Sequence, residues 1–173
     1  MKQAVIGAHR VGKTTLVEKL QESLPEYKYY TEPYYALEEA GHIFSEVPTV
    51  DDYLMQLEYS INQLSSSDDN VVFDRCPIDI LAYIMAVSKS GNVQPLYHKV
   101  QRAMQEIDLL VFVPIEKPDL IECKGFELPK LRYRVNEILI DLIEDFEVET
   151  IEVSGTLSDR QFQVITKMMM IEK

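Results

Sequence analysis

Gly7, Gly12, Lys13 and Thr14 fall at the spacing G-x-x-x-x-G-K-[ST] within GAHRVGKTT (7–15), between the apolar run AVI and the helical pattern LVEKL. These residue types build an anion cradle. Glycine lets the backbone wrap closely around a ligand. Successive N–H groups and the N-terminus of the following helix then point at phosphate oxygens. Lys13 adds a point charge for the β- and γ-phosphates, and the Thr14 hydroxyl is a ligand for Mg²⁺, with Thr15 beside it on the first turn. A bound triphosphate such as ATP, with Mg²⁺, is the implied occupant. His9 and Arg10 hold variable positions of the loop and read as exposed side chains, a phosphate contact by Arg10 being the open alternative.

Two further groups carry charge to the same place. NVVFDRCPID (70–79) ends a short apolar strand with Asp74-Arg75. Ligands in parallel α/β sheets sit at the carboxyl ends of strands. Asp74 therefore lands beside the glycine loop if strands 2–6 and 71–73 are neighbours. A carboxylate there orients Mg²⁺ or its water, or takes a proton from an attacking hydroxyl. Arg75 offers a planar fork for a phosphate or carboxylate; a structural Asp–Arg pair is the alternative. Glu32, in TEP (31–33), ends the second strand on the same edge. It is either a second acid aimed into the cleft or the start of the next helix, where a carboxylate suits the dipole.

The elements that must position these residues alternate along the chain. Strands are expected at 2–6, 27–31, 71–73, 109–113 and 148–153, and helices at about 13–23, 33–43, 50–64, 80–87, 95–106, 131–146 and 157–171. Pro77 suits the first turn of the helix through ILAYIMAV. SSSDDN (65–70) reads as a loop. Strands separated by helices imply βαβ units, and mostly apolar strands imply a sheet covered on both faces. The expected fold is a three-layer α/β/α domain with about five parallel strands, a single unit over 1–173.

The chain has 173 residues, 46% hydrophobic and 27% charged, as in ordinary globular domains. With 17 basic against 29 acidic residues the net charge is −12, which repels a nucleic-acid backbone yet allows a small anion in a focused cleft. No apolar run is long enough for a membrane span, and MKQAVIG does not read as a leader. A cytoplasmic protein is expected. Cys76 and Cys123 form no C-x-x-C pair and read as reduced thiols.

A glycine loop after the first strand, Glu-Pro after the second and Asp-Arg after the third resemble the P-loop nucleoside and nucleotide kinases. VVFDRCPIDILAY resembles the D-R-Y/F…S-x-x-A-Y segment of thymidylate kinases, and YYTEP resembles both their T-R-E-P and the E-P of deoxynucleoside kinases. The layout is also similar to small P-loop ATPases related to the nicotinamide riboside kinase domain. The resemblance implies an ATP:nucleoside or nucleoside-monophosphate phosphotransferase with a small-molecule acceptor. Asp74 and Arg75 then match the metal-or-base carboxylate and the acceptor-site arginine, Glu32 the acid near the acceptor hydroxyl, and Gln56 an acceptor-base amide. The chain departs from the pattern in lacking the Arg of T-R-E-P, with Tyr30-Thr31-Glu32 instead, and in carrying Cys76 after Asp-Arg. Kinases of this kind often form homodimers, and the resemblance extends that expectation here.

The resemblance also implies a short lid after the fourth strand, at about 114–130, followed by arginines. Arg132 and Arg134 project about 200° apart on a regular helix, so both cannot face one ligand. Arg132 lies nearer the inward edge of the apolar arc through Leu131, Val135, Ile138, Leu139, Leu142, Ile143 and Phe146, and is the better phosphate contact. Gly155, in SGT (154–156), would border the adenine or form an ordinary turn. Three other readings use the same loop: an ATP- or GTP-hydrolysing switch, a polynucleotide 5′-kinase, and a nucleotide-binding remnant of little activity, which the departures from the pattern suggest. The missing N-K-x-D argues against a GTPase, and the acidity argues against the polynucleotide reading.

Overall fold

The computed structural model describes residues 1–88, 93–119, 121, 123–125 and 128–171. The described strands are β1 (Lys2–Ile6), β2 (Lys28–Tyr30), β3 (Val71–Asp74), β4 (Leu109–Phe112) and β5 (Thr150–Glu152). The helices are α1 (Lys13–Ser23), α2 (Pro33–Glu39), α3 (Val50–Ser66), α4 (Pro77–Val87), α5 (Gln94–Met104), α6 (Pro129–Phe146) and α7 (Leu157–Ile171). The strands form one parallel sheet in the order β2-β3-β1-β4-β5. β3 and β4 are buried along their whole length, as strands covered on both faces must be. Helix α1 packs with α7, while α4 is the centre of a second group with α3, α5 and α6.

Local signals set most boundaries. Prolines at 33, 77, 95 and 129 occupy the first turns of their helices, where a missing N–H costs nothing. Thr49 and Asp52 form a capping box at the start of α3. The helix expected over 33–43 stops at Glu39. Gly41 adopts φ +91, its N–H bonds Glu38 O, and His42 N–H bonds Leu37 O, each at 2.9 Å. This is a Schellman termination. The serine run also differs from expectation. Ser65 and Ser66 complete α3, their hydroxyls bonding back to carbonyls at Asn62 and Gln63, so the loop starts at Ser67. The expected lid falls partly on Leu120, Glu122, Phe126 and Glu127, which lie outside the described residues. No helix among the described residues is long and apolar enough to cross a membrane.

One core position is polar without a partner. Gln3, on β1, is 0% exposed, and neither its Oε1 nor its Nε2 has a hydrogen bond. An orphaned buried amide costs about 1–3 kcal/mol. If Gln3→Met recovers about 1 kcal/mol of that cost, it is expected to raise Tm by about 2–4 °C, checked by thermal denaturation. An unchanged or lower Tm would show that the amide is satisfied in solution.

Candidate active site

The sheet places β1 between β3 and β4, with Val5 paired to Asp74 and Ile6 to Phe112. The glycine loop and Asp74 thus emerge side by side, as neighbouring strands 2–6 and 71–73 require. At Gly7, with φ +148, a β-carbon would meet Val113 O at 2.4 Å. Only glycine fits that approach.

A loop whose N–H groups face an anion turns its carbonyls outward, and buried carbonyls need donors. Four successive carbonyls here receive cationic side chains. Lys13 Nζ donates to Ala8 O at 2.7 Å, Arg132 Nε to His9 O and Nη2 to Arg10 O at 3.0 Å, and Arg160 Nη1 to Val11 O at 3.0 Å. Each arginine is held by an acid from the stretch after β4. Asp119 grips Arg132 as a two-oxygen fork, and Glu116 lies 3.0 Å from Arg160 Nη2. Glu116 also accepts the Gly155 N–H at 2.9 Å, while Arg160 Nε donates to Gly155 O at 3.1 Å.

Arg132 is 1% exposed, so it does lie on the inward face. The donors expected to meet phosphate instead hold the loop and Asp119. Arg10 is exposed, as expected. His9 is not: it is half-buried, and both its N–H and its Nδ1 lie 2.8 Å from Tyr83 Oη. Burial first, then Arg75, Lys13 and Arg132, lower its pKa to about 4.

The clamp has a measurable consequence. Arg160→Ala strips donors from the carbonyls of Val11 and Gly155 and leaves Glu116 unopposed. It is expected to weaken binding of a non-hydrolysable ATP analogue about tenfold, or about 1.4 kcal/mol. Calorimetric titration checks this, and unchanged affinity would show that the loop holds its shape without Arg160.

Thr14 Oγ1 donates to Asp74 Oδ2 at 2.7 Å, while Asp74 Oδ1 is buried with no partner. Burial pushes the Asp74 carboxyl up, against the opposing pull of Thr14 and Lys13. A hydroxyl and an orphaned carboxylate oxygen side by side fit the two protein oxygens with which Mg²⁺ commonly joins phosphates and water. No cluster of three or more His, Cys, Asp or Glu metal ligands exists among the described residues.

Arg75 follows Asp74 with φ +70, in a left-handed conformation that a non-glycine residue holds at a cost. Its Nε lies 2.9 Å from Glu32 Oε1, an ion pair by distance though not aligned as a hydrogen bond. Its guanidinium stands 4.9 Å above the Tyr83 ring, which in turn stacks on Tyr53 at 5.2 Å. Glu32 occupies the position before α2 without capping it. Glu32 thus stands at the start of α2 with its carboxylate turned to Arg75 and not to the helix end.

Asp79 is a residue that motif reading passed over. It is 0% exposed, and its carboxylate accepts the Gly7 N–H at 2.9 Å and the Cys76 N–H at 3.1 Å. Burial pushes its pKa up to about 6, against Arg75 and Lys13. Its place three residues after Cys76, in C-P-I-D, is the capping-box spacing and would have flagged it. Arg160, Glu116 and Asp119 carry no such local signal.

Two cavities meet here. One, of 610 Å³, lies over Gly12, Lys13, Thr14 and Thr15. The other, of 300 Å³, is walled by Gln56, Tyr53, Phe44 and Leu131. His9, Glu32 and Arg75 line both. Gln56 is buried, its Nε2 donating to Asp52 O at 3.3 Å, which places the amide at the cavity rather than on an exposed helix face.

The AAA_28 family, described as an AAA domain, matches residues 2–160. No curated protein matches the chain. Among solved structures, deoxyadenosine kinase from M. mycoides with bound dCMP and dCDP has a TM-score of 0.69 at 14% identity, over 99% of this chain and 100% of its own. Thymidylate kinase from Candida albicans has 0.66 at 17%, over 99% and 93%. NadR in complex with NR has 0.72 at 20%, over 95% of this chain but 49% of NadR. With the glycine loop, the parallel sheet and these likenesses together, the chain belongs to the AAA_28 family and has the fold of the P-loop nucleoside and nucleotide kinases.

Proposed function

We propose that the protein is an ATP-dependent phosphotransferase whose acceptor is a (deoxy)nucleoside or its monophosphate. The observation that carries this reading is the pair of cavities with a common wall of Glu32, Arg75 and His9. A hydrolase needs only the first cavity. The neighbours' ligands agree in kind, since the deoxyadenosine kinase holds dCMP and dCDP, and NadR holds NAD with AMP-PNP.

The triphosphate lies over residues 7–15, with Gly7, Gly12, Lys13, Thr14, Thr15 and Arg10 around it. Thr14 and Asp74 would hold Mg²⁺, which supplies charge neutralisation between the β- and γ-phosphates. The acceptor lies along Gln56 and Glu32. For a hydroxyl acceptor, a bond forms between its oxygen and the γ-phosphorus, the bond to the β–γ bridging oxygen breaks, and the proton passes to Glu32. Arg75 sits between the halves, where the moving phosphoryl charge is greatest. Arg132 joins it if phosphate displaces Asp119. The reading includes a cytoplasmic location, a small-molecule partner in place of nucleic acid or membrane, and a homodimer.

Thermal-shift measurements with candidate acceptors, AMP-PNP and Mg²⁺ test the two-substrate arrangement. An acceptor is expected to add to the shift given by nucleotide, and Gln56→Leu to remove that addition while keeping the nucleotide shift. If no acceptor adds anything, the second cavity is not a substrate site.

A further inference from the structure

Most of α4 is apolar packing. Among its buried side chains only Asp79 and Tyr83 carry polar atoms, and both reach the phosphate loop. We infer that Asp79 and Tyr83 are positioning residues that couple the two cavities, so that nucleotide over the glycine loop tightens acceptor binding and acceptor tightens nucleotide binding. The inference rests on the phosphotransferase reading and follows from where these two side chains bond.

Asp79 and Tyr83 stand at i and i+4 and so share one face of the helix. The Asp79 carboxylate divides its oxygens: Oδ1 accepts the Gly7 N–H at 2.9 Å and Oδ2 the Cys76 N–H at 3.1 Å. A fully buried group thus ties the start of the donor loop to the residue after Arg75. That turn is strained, with Arg75 at φ +70, and such a conformation persists only where its surroundings over-determine it. Tyr83 holds the loop at the next amide but one. Its Oη accepts the His9 N–H at 2.8 Å, and in the tautomer protonated at Nε2, His9 Nδ1 accepts the Tyr83 proton at 2.8 Å. His9 is neutral at physiological pH, its pKa lowered to about 4, as the second bond requires.

The other end of each tether lies in the acceptor half. The Tyr83 ring lines the 300 Å³ cavity, carries the Arg75 guanidinium 4.9 Å from its centre and stacks on Tyr53 at 5.2 Å. Tyrosine is rigid from ring to hydroxyl, so the ring cannot shift against an acceptor without moving its bonds to His9. Both tethers are shielded from water, where such bonds are strong and costly to leave unmade. Nucleotide that orders the loop therefore orders the Tyr83 hydroxyl and the Arg75 turn, and the acceptor meets a wall already set in place. The reverse holds by thermodynamic necessity: the factor that nucleotide gives to acceptor, acceptor returns to nucleotide.

The test is calorimetric titration of the full chain with adenosine, guanosine, cytidine, thymidine and their 5′-monophosphates, each with and without AMP-PNP and Mg²⁺. In the wild-type protein an acceptor that binds is expected to bind about tenfold tighter when AMP-PNP is present. Tyr83→Phe keeps the ring and its stacking partners but removes the hydroxyl. Asp79→Asn keeps one acceptor oxygen and turns an NH₂ group toward the other N–H. Either change should bring the ratio down to about twofold or less. A side chain that only stabilised the fold would weaken both ligands or lower Tm and leave the ratio as it was. Tyr83→Phe carries the test where Asp79→Asn fails to fold. A ratio near one in the wild-type protein, or a wild-type ratio kept by either folded variant, overturns the inference and leaves the phosphotransferase reading standing. No acceptor binding in any titration overturns the inference together with the reading beneath it.

Discussion

Lys13→Met is expected to slow turnover by about 10²–10³-fold and to weaken binding of ATP·Mg²⁺. The lysine is buried, its ammonium is tied to Ala8 O within the loop, and it lines the cavity over that loop, so its charge is at hand for a phosphate bound there. Arg132 and Arg160 cannot take that place, because both grip the outer side of the same loop. Burial, then Arg75, lowers the Lys13 pKa to about 8, with Glu32, Asp79 and Asp74 resisting.

A pH dependence follows. Below about 8 the ammonium is charged and attracts phosphate, so affinity of the free protein for a non-hydrolysable ATP analogue should fall as pH rises through about 8. Bound phosphate favours the charged form, so the alkaline limb of kcat lies higher than that of kcat/KM. Folding stability responds with the opposite sign. Between about 8 and the ordinary value of 10.5 the unfolded chain binds the extra proton, so this group's contribution to stability rises with pH across that window. Lys13→Met should abolish the affinity limb. Persistence of the limb in the variant would assign it to another group.

Arg75→Ala is expected to have two separable effects. Removing the guanidinium leaves Glu32 without its ion pair and buried Asp79 without its strongest cationic neighbour, while Asp74 keeps Lys13. Breaking a buried pair in this way costs about 3–5 kcal/mol. Turnover should fall by about 10²–10³-fold, because the moving phosphoryl group loses its cation at the join between the cavities. Chemical denaturation and single-turnover kinetics measure the two. The double variant Arg75→Leu, Glu32→Gln removes both charges and should recover part of the stability without recovering turnover. Recovery of both would make Arg75 purely structural.

Much of this arrangement was legible in the sequence because it is local. The G-x-x-x-x-G-K-[ST] spacing, the helix periods and the apolar strands located α1 (Lys13–Ser23) and α7 (Leu157–Ile171) to the residue. Asp-Arg at the end of a strand lands beside the glycine loop because parallel sheets carry ligands on one edge. The errors have identifiable causes. Gly41 ended α2 early through a left-handed turn, and serines that mark a loop by composition instead bonded back onto α3. Periodicity turned Arg132 inward correctly, yet could not say that Asp119 and the carbonyls of His9 and Arg10 wait there. The bonds to His9 and Arg10 join residues more than a hundred positions apart, as does the bond from Arg160 to Val11, and Asp119 reaches Arg132 from 13 positions away with no periodic pattern to signal it. Nothing local encodes them. His9 is similar: its partner, Tyr83, lies 74 positions along the chain.

The proposed phosphotransfer requires that phosphate pass between the two cavities and not be released to water. Coupled ADP release, measured with ATP and Mg²⁺ across nucleosides and their monophosphates, tests it most directly. Turnover with at least one acceptor is expected to lie well above the rate with water alone, accompanied by one phosphorylated acceptor for each ADP formed. Turnover equal to the water-only rate across the whole panel would contradict it.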